Sequence, residues 1–391
     1  MIYNFDELPA RRETESIKWN FFDEDVLPMW VADMDFKSPE PVIRALQERV
    51  AQGYFGYAGQ LKGLREGIVE RLASKYNWFV QPEDLVFMPG VVTGFNMAGQ
   101  AFAGQGKGVL IQPPVYMPFF GVANNINGIQ QEAPLIRCAD GSYEVDWDAF
   151  EAAITDQTGM FLLCNPHNPV GRVFRRDELE RMAEICLRNH IIICSDEIHC
   201  DLIYSGHQHV PIASIDPEIA QHTVTLMAPS KTYNIAGLSC SFAVIQNAEM
   251  RKQFQNAHQG LVHGVNLLGL VAAKAAYCEG DEWLSQLLVY LEGNRDLTYD
   301  FVNEQMPGVS MARPEGTYLA WLDCREAGIE GRPCDFFIKN ARVATNEGAA
   351  FGKGGEGFVR FNFGCPRPML LEALERMKQA LLQAGDPKTE A

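Results

Sequence analysis

Met227-Ala228-Pro229-Ser230-Lys231-Thr232-Tyr233-Asn234-Ile235-Ala236-Gly237-Leu238 is the stretch on which the reading of the fold turns. The β-type run Thr223 to Met227 ends in Pro and Ser, presents one lysine and leaves through small residues. Lys231 is therefore expected at the carboxyl end of a buried strand, the edge where α/β folds bind ligands. A lone lysine is usually a solvated charge. On a short connector between apolar segments, however, burial lowers its pKa and leaves free amine to attack an aldehyde as a Schiff-base nucleophile.

The runs upstream follow the same plan. From Leu85 to about Gln246, short apolar runs alternate with helical stretches, the pattern of a largely parallel sheet covered on both faces. Leu85-Val86-Phe87-Met88 leads into Pro89-Gly90-Val91-Val92-Thr93-Gly94 and a helix expected from about Phe95. That order gathers backbone N–H groups and a hydroxyl around one point, as a phosphate cradle does, although an ordinary strand-to-helix turn has the same appearance. Gly108-Val109-Leu110-Ile111 precedes Gln112-Pro113-Pro114-Val115-Tyr116, and Phe161-Leu162-Leu163-Cys164 runs into Asn165-Pro166-His167-Asn168-Pro169. Gly104-Gln105-Gly106-Lys107 is set aside as a phosphate loop, since no Ser/Thr follows the lysine and the strand comes after it. Ile191-Ile192-Ile193-Cys194 ends at Ser195-Asp196-Glu197-Ile198-His199. Acids ending so apolar a strand need a cation, which could be a ligand or an internal salt-bridge partner.

Around this core, Leu27 to Phe36 is too apolar for an ordinary loop and reads as a strap over the core, a pocket wall, or both. A helix is expected from Pro39 to about Ala51 with Val42, Leu46 and Val50 on one face, and another with Leu61, Leu64, Ile68 and Leu72 as its stripe. Between them, Gly53-Tyr54-Phe55-Gly56-Tyr57-Ala58-Gly59 suits neither helix nor strand; Tyr57 is either filler or a hydroxyl aimed at a ligand. Beyond Leu261 the chain turns helical, with a long amphipathic helix near Trp283 to Val302, a strand at Tyr318 to Leu322 and a final helix near Pro368 to Leu382. In Phe358 to Phe363, alternation puts Arg360 and Asn362 on one strand face, where Arg360 is a surface cation or a bidentate carboxylate clamp. Gly385 to Ala391 reads as a disordered tail.

Composition closes off other classes. The 391 residues are 47% hydrophobic and 21% charged, globular in balance and long enough for two or three domains. A net charge of −17 without a basic run argues against nucleic acid or anionic membrane as partner. The start, MIYNFDELPARRE, lacks the order of a signal peptide and no run approaches a membrane span, so a cytoplasmic protein is expected. Ten scattered cysteines without a CxxC pair read as core thiols rather than zinc ligands or disulfides.

Taken in order, the glycine cradle, the aromatic after Pro-Pro, the Asn-Pro turn, the strand-end Asp, the lysine connector and the late arginine resemble the fold-type I pyridoxal-phosphate enzymes of the aspartate aminotransferase superfamily. PMWVADMDF, GYFGYAG, NPHNPVG, SDEIHCDL, SKTYNIAGL and FVRFNFGCPR are together similar to the MalY/PatB group of carbon–sulfur β-lyases, often called cystathionine β-lyases. The resemblance implies an α/β fold of the pyridoxal-phosphate-dependent transferase type. An N-terminal segment (1–45) would pack on a small domain and the pocket, a large domain (46–285) would hold a mainly parallel sheet, and a smaller α+β domain (286–391) would complete the chain.

The resemblance also implies roles. Lys231 holds pyridoxal 5′-phosphate and later moves protons, and Asp196 pairs with the pyridinium nitrogen, making the ring a better electron sink. Tyr116 stacks on the ring, and Asn168 bonds its phenolic oxygen; both border the substrate. Val92, Thr93 and Ser230 surround the phosphate, Arg360 takes the substrate carboxylate, and Tyr57 reaches the site of the other subunit of a homodimer. Three positions depart from the aminotransferase pattern: His199 replaces a tyrosine, as it does in the MalY/PatB group; Ser239 stands where many carry a phosphate-binding Arg or Lys; Ala228 replaces a serine. The function so implied is α,β-elimination from an L-cysteine S-conjugate such as cystathionine, with an aminotransferase, or a cofactor-binding regulator of the MalY type, as alternatives.

Overall fold

The computed structural model describes residues 2–257 and 260–384, so the tail expected at Gly385 to Ala391 lies outside the described residues. Its centre is a seven-stranded sheet built from β1 (Leu85–Met88), β2 (Gly108–Ile111), β3 (Ile129–Glu132), β4 (Thr158–Cys164), β5 (Ile192–Asp196), β6 (Thr223–Met227) and β7 (Ser241–Val244). The spatial order is β1-β7-β6-β5-β4-β2-β3. Along β4, Met160, Leu162 and Cys164 pack into one core cluster and Phe161 and Leu163 into another. A period of two with both faces buried is what a helix-covered parallel sheet demands.

The strands from β6 to β3 run parallel, while β7 is antiparallel to both of its neighbours. Parallel pairing brings the carboxyl ends of β4, β5 and β6 to one edge. Because β7 runs the other way, with Ser241 opposite Met88, its amino end reaches that same edge. The segment Ser239 to Ser241 thereby joins the strand ends that carry Asp196 and Lys231.

A second, antiparallel sheet contains β8 (Leu319–Asp323), β9 (Asn346–Glu347) and β10 (Phe358–Asn362), with β10 in the middle. Its register sets Arg360 between Trp321 and Asn346. Two long helices, Asp281–Gln305 and Arg367–Ala384, accompany it. The N-terminal segment is stitched to this part of the chain by the parallel pairing of Leu27–Pro28 with Val343–Ala344.

The structure corrects two details and sharpens a third. The helix after β1 begins at Val91 rather than near Phe95. The short connector that carries Lys231 is a one-turn helix, Pro229–Thr232. In the helix Glu40–Ala51, Val42 is buried but Val50 is 50% exposed, so the expected stripe stops short of the helix end. All ten cysteines are free thiols, eight of them buried. Among the described residues no helix is long and apolar enough to cross a membrane.

Candidate active site

The strand ends enclose a cavity of about 230 Å³, lined by Ala32, Gly90, Val92, Tyr116, Cys164, Asn168, Asp196, His199, Ser230, Lys231 and Ser239 to Ser241, among others. Seven of the ten residues singled out from sequence meet here: Lys231, Asp196, Asn168, Tyr116, His199, Val92 and Ser230. Arg360 is joined to them through Asn168, whose Oδ1 accepts from Arg360 Nη1 at 3.0 Å. Thr93 is not among the lining residues, although it stands in the first turn of the helix that faces the cavity, where N–H groups lack intrahelical acceptors. Tyr57 is fully exposed and takes no part in its own chain's cavity.

Each charged group here lacks its ordinary partner. Lys231 Nζ donates to the backbone carbonyl of Ala32 at 2.6 Å. Burial, with the nearby Arg360 charge second, pushes its ammonium down to about 8, although Asp33 and Asp196 pull the other way. Asp196 is buried and accepts a 3.1 Å hydrogen bond from the Ile198 N–H, but among the described residues it has no ion-pair partner. Burial pushes its carboxyl up to about 7. Arg360 is buried too, and among the described residues its guanidinium meets only neutral groups: Nη1 on Asn168, Nη2 on Asn346 Oδ1 at 2.6 Å and on the Trp30 carbonyl at 3.1 Å, with Nε unsatisfied. Burial lowers its pKa to about 10. His199, buried edge-on to Tyr318 with Nδ1 unpartnered, is pushed down to about 3 by burial and by the charges of Lys231 and Arg360. It is therefore neutral at physiological pH.

The acidic pair at the end of β5 divides between the two possibilities. Glu197 turns away from the cavity to an internal partner, His209 Nε2 at 2.8 Å, and also accepts from Ser195 Oγ at 2.9 Å and the Ile212 N–H at 3.2 Å. Asp196 alone awaits a cation.

The strap is both core cover and pocket wall. Met29 and Met34 are buried, while the carbonyls of Trp30, Val31, Ala32 and Asp33 accept from Arg360, Asn362, Lys231 and Asn362 respectively. Sequence reasoning did not find the Ala32 carbonyl, Cys164, Asn346 or the lining by Cys240 and Ser241. The strap's unusual apolarity pointed toward Ala32, whereas a two-residue strand leaves no pattern that would single out Asn346.

This chain matches the profile of the family described as aminotransferase class I and II over residues 24–377. It belongs to that family. Among its relatives, cystathionine β-lyase PatB of Bacillus subtilis is 40% identical, the match covering 97% of this chain and all of the relative. A structure described as a PLP-bound putative aminotransferase from Clostridium difficile superposes with a TM-score of 0.94 at 39% identity, covering 97% of this chain and 100% of that one. The PLP-bound C–S lyase from Staphylococcus hominis gives 0.91 at 34% identity over 98% of this chain and 100% of its own. Family members thus carry both lyase and aminotransferase names, and the distinction rests on what the site does.

Proposed function

We propose that the protein is a pyridoxal-phosphate-dependent carbon–sulfur β-lyase that cleaves L-cysteine S-conjugates such as L-cystathionine to a thiol (here homocysteine), pyruvate and ammonia. The observation that carries the reading is a single cavity edged by a half-buried lysine of lowered pKa and a buried aspartate, with a buried arginine behind its Asn168 wall, the aspartate having no cation and the arginine no anion among the described residues. Two buried ions of opposite sign left unpaired are costly unless ligands complete them.

The residues fit the cofactor. Lys231 Nζ would hold its aldehyde, Asp196 its ring nitrogen, Tyr116 the ring face and Asn168 the phenolic oxygen. Its phosphate would lie among the N–H groups of Val92 and Thr93 and the hydroxyls of Ser230 and Ser239. Those donors are neutral, and with Ser239 standing where many aminotransferases carry a cation, the positive potential at the phosphate would come from the N-terminus of the helix Val91–Ala98. When bound, pyridoxal phosphate acts as an electron sink that acidifies the substrate Cα–H and makes the Cβ–S bond labile.

The chain's own groups do the rest. Arg360 takes the substrate carboxylate on the guanidinium that Asn346 and Asn168 hold in plane. Lys231 Nζ, uncharged in part near neutral pH, removes the proton at Cα. The departing sulfur receives a proton from Lys231 Nζ or from the hydroxyl of Tyr57 on a second copy of the chain. His199, being neutral, adds no positive charge to compete with the ring nitrogen for Asp196.

The same reading makes the protein a cytoplasmic homodimer with shared sites, divided into segment 1–45 and domains 46–285 and 286–391. Supporting it, Tyr54, Phe55 and Tyr57 stand exposed within one short loop, a concentration of aromatic surface that water disfavours. The spectrum of the loaded protein with L-alanine tests the lyase reading against transamination. Alanine has no leaving group on Cβ, so the visible absorption should persist; rapid conversion to the pyridoxamine absorption would favour an aminotransferase.

A further inference from the structure

Lys231 belongs to a helix of four residues, too short to hold its own position. Two of the bonds that hold it from behind lie on the next two residues. Buried Thr232 donates from Oγ1 to Asp201 Oδ2 at 3.2 Å, and buried Tyr233 donates from its hydroxyl to Asp281 Oδ1 at 3.3 Å. Both carboxylates converge on one side chain: Arg71 Nη2 reaches Asp201 at 3.1 Å and Nη1 reaches Asp281 at 2.6 Å. The same guanidinium lies over the rings of Tyr233 and Tyr277, at 5.9 and 5.4 Å. Asp201 also accepts from Lys75 Nζ and from the Tyr76 hydroxyl, so the helix Leu64–Tyr76 supplies three donors to it. None of these groups lines the cavity, and none has a place in the chemistry described above.

We propose that Arg71, acting through Asp201 and Asp281, is a positioning residue that clamps the Lys231 turn from behind and fixes Nζ at the cavity edge. The inference rests on Lys231 being the catalytic amine. Asp201 follows the cavity-lining His199 by two residues, so one carboxylate ties two pieces of cavity wall to one helix. Charge-assisted bonds on consecutive residues restrain both translation and rotation of the turn, and a group moving a proton loses rate steeply when misplaced.

The test uses the cofactor-loaded full chain and four variants. Thr232→Val keeps the shape and removes the donor, while the rest of the Asp201 network stays satisfied. It should lower kcat on the order of tenfold with KM within about twofold, and hydrogen exchange across residues 229–235 should speed up about tenfold. Thr232→Ser, which keeps the hydroxyl and loses the methyl, should restore both. Asp281→Asn alters an acid 73% exposed, so it leaves the core intact, and should lower kcat about threefold. Wild-type kcat in Thr232→Val, or equal impairment in Thr232→Ser, would overturn the clamp; should Thr232→Val not fold, unchanged kcat in Asp281→Asn overturns it. Lys231→Ala separates the two layers: activity surviving there refutes the catalytic role of Lys231, whereas its loss beside a normal Thr232→Val refutes the clamp alone.

Discussion

Asp196 and Lys231 are ionisable groups whose burial opposes their own charge, and that has a definite pH signature. Asp196 has its pKa raised from 3.8 to about 7, so the native state binds the extra proton between those values and stability falls as pH rises through the window. Lys231 is lowered from 10.5 to about 8, so the unfolded state binds the extra proton and stability climbs as pH rises from 8 toward 10.5. Both penalties are present together near pH 7 to 8. Asp196→Asn should accordingly stabilise the cofactor-free protein at pH 8 by roughly 1–3 kcal/mol while disabling the enzyme, a gain read as a higher Tm; a lower Tm would mean the carboxylate already has a partner. At Arg360, truncation to Ala removes the guanidinium proposed for the substrate carboxylate, and KM for amino acids should rise by the equivalent of about 2–4 kcal/mol. Unchanged KM would move the carboxylate site elsewhere. Asp196 stands out because an acid is out of place at the end of an apolar strand, whereas Lys231 and Arg360 each read equally as solvated charges until the order of the neighbouring motifs is taken into account. The Ala32 carbonyl was not legible, since a backbone acceptor 199 residues from its lysine leaves no mark on side-chain pattern.

Among the elements, the strap carries a buried ion pair at its end. Lys18 Nζ and Asp35 Oδ2 meet at 2.6 Å with both side chains fully buried, and Asp35 Oδ1 also takes Trp19 Nε1 and Arg11 Nη1. Asp35→Ala strands Lys18 in the interior and should cost about 3–5 kcal/mol, measured as a shift in denaturant midpoint; a loss below 1 kcal/mol would show the strap to be dispensable for folding. The strands Leu85–Met88, Gly108–Ile111 and Thr223–Met227 were legible to the residue, the last because its Val and Thr are β-branched. Two features were not. The reversed direction of β7 has no sequence signature, because a strand buried on both faces looks alike whichever way it runs. The helix start at Val91 was hidden because Val91, Val92 and Thr93 are poor helix formers, and packing overrides that preference: a Cβ on Gly94 would come within 2.6 Å of Met88 Sδ and 2.9 Å of Leu226.

For the whole molecule, the proposal of shared sites turns on Tyr57, which its own chain leaves in solvent. Lys231→Ala and Tyr57→Phe should each be impaired as homodimers, yet a fully reassorted mixture should exceed both parents, because one site in each mixed dimer recovers both groups. A mixture no better than its parents would place Tyr57 outside the chemistry. The fate of the substrate after its α-proton is removed separates a lyase from an aminotransferase, since elimination and transamination share the steps before that point. Elimination needs a leaving group on Cβ, and a thiolate is a good one; transamination needs a keto-acid acceptor to regenerate the cofactor. The direct measurement is turnover of L-cystathionine by the loaded protein with no keto acid added, following homocysteine, pyruvate and ammonia. A lyase should release the three products in equal amounts over many turnovers, with the visible absorption of the cofactor undiminished. Turnover that stops after one equivalent and resumes on addition of a keto acid, with pyridoxamine phosphate accumulating in its absence, would contradict the lyase reading.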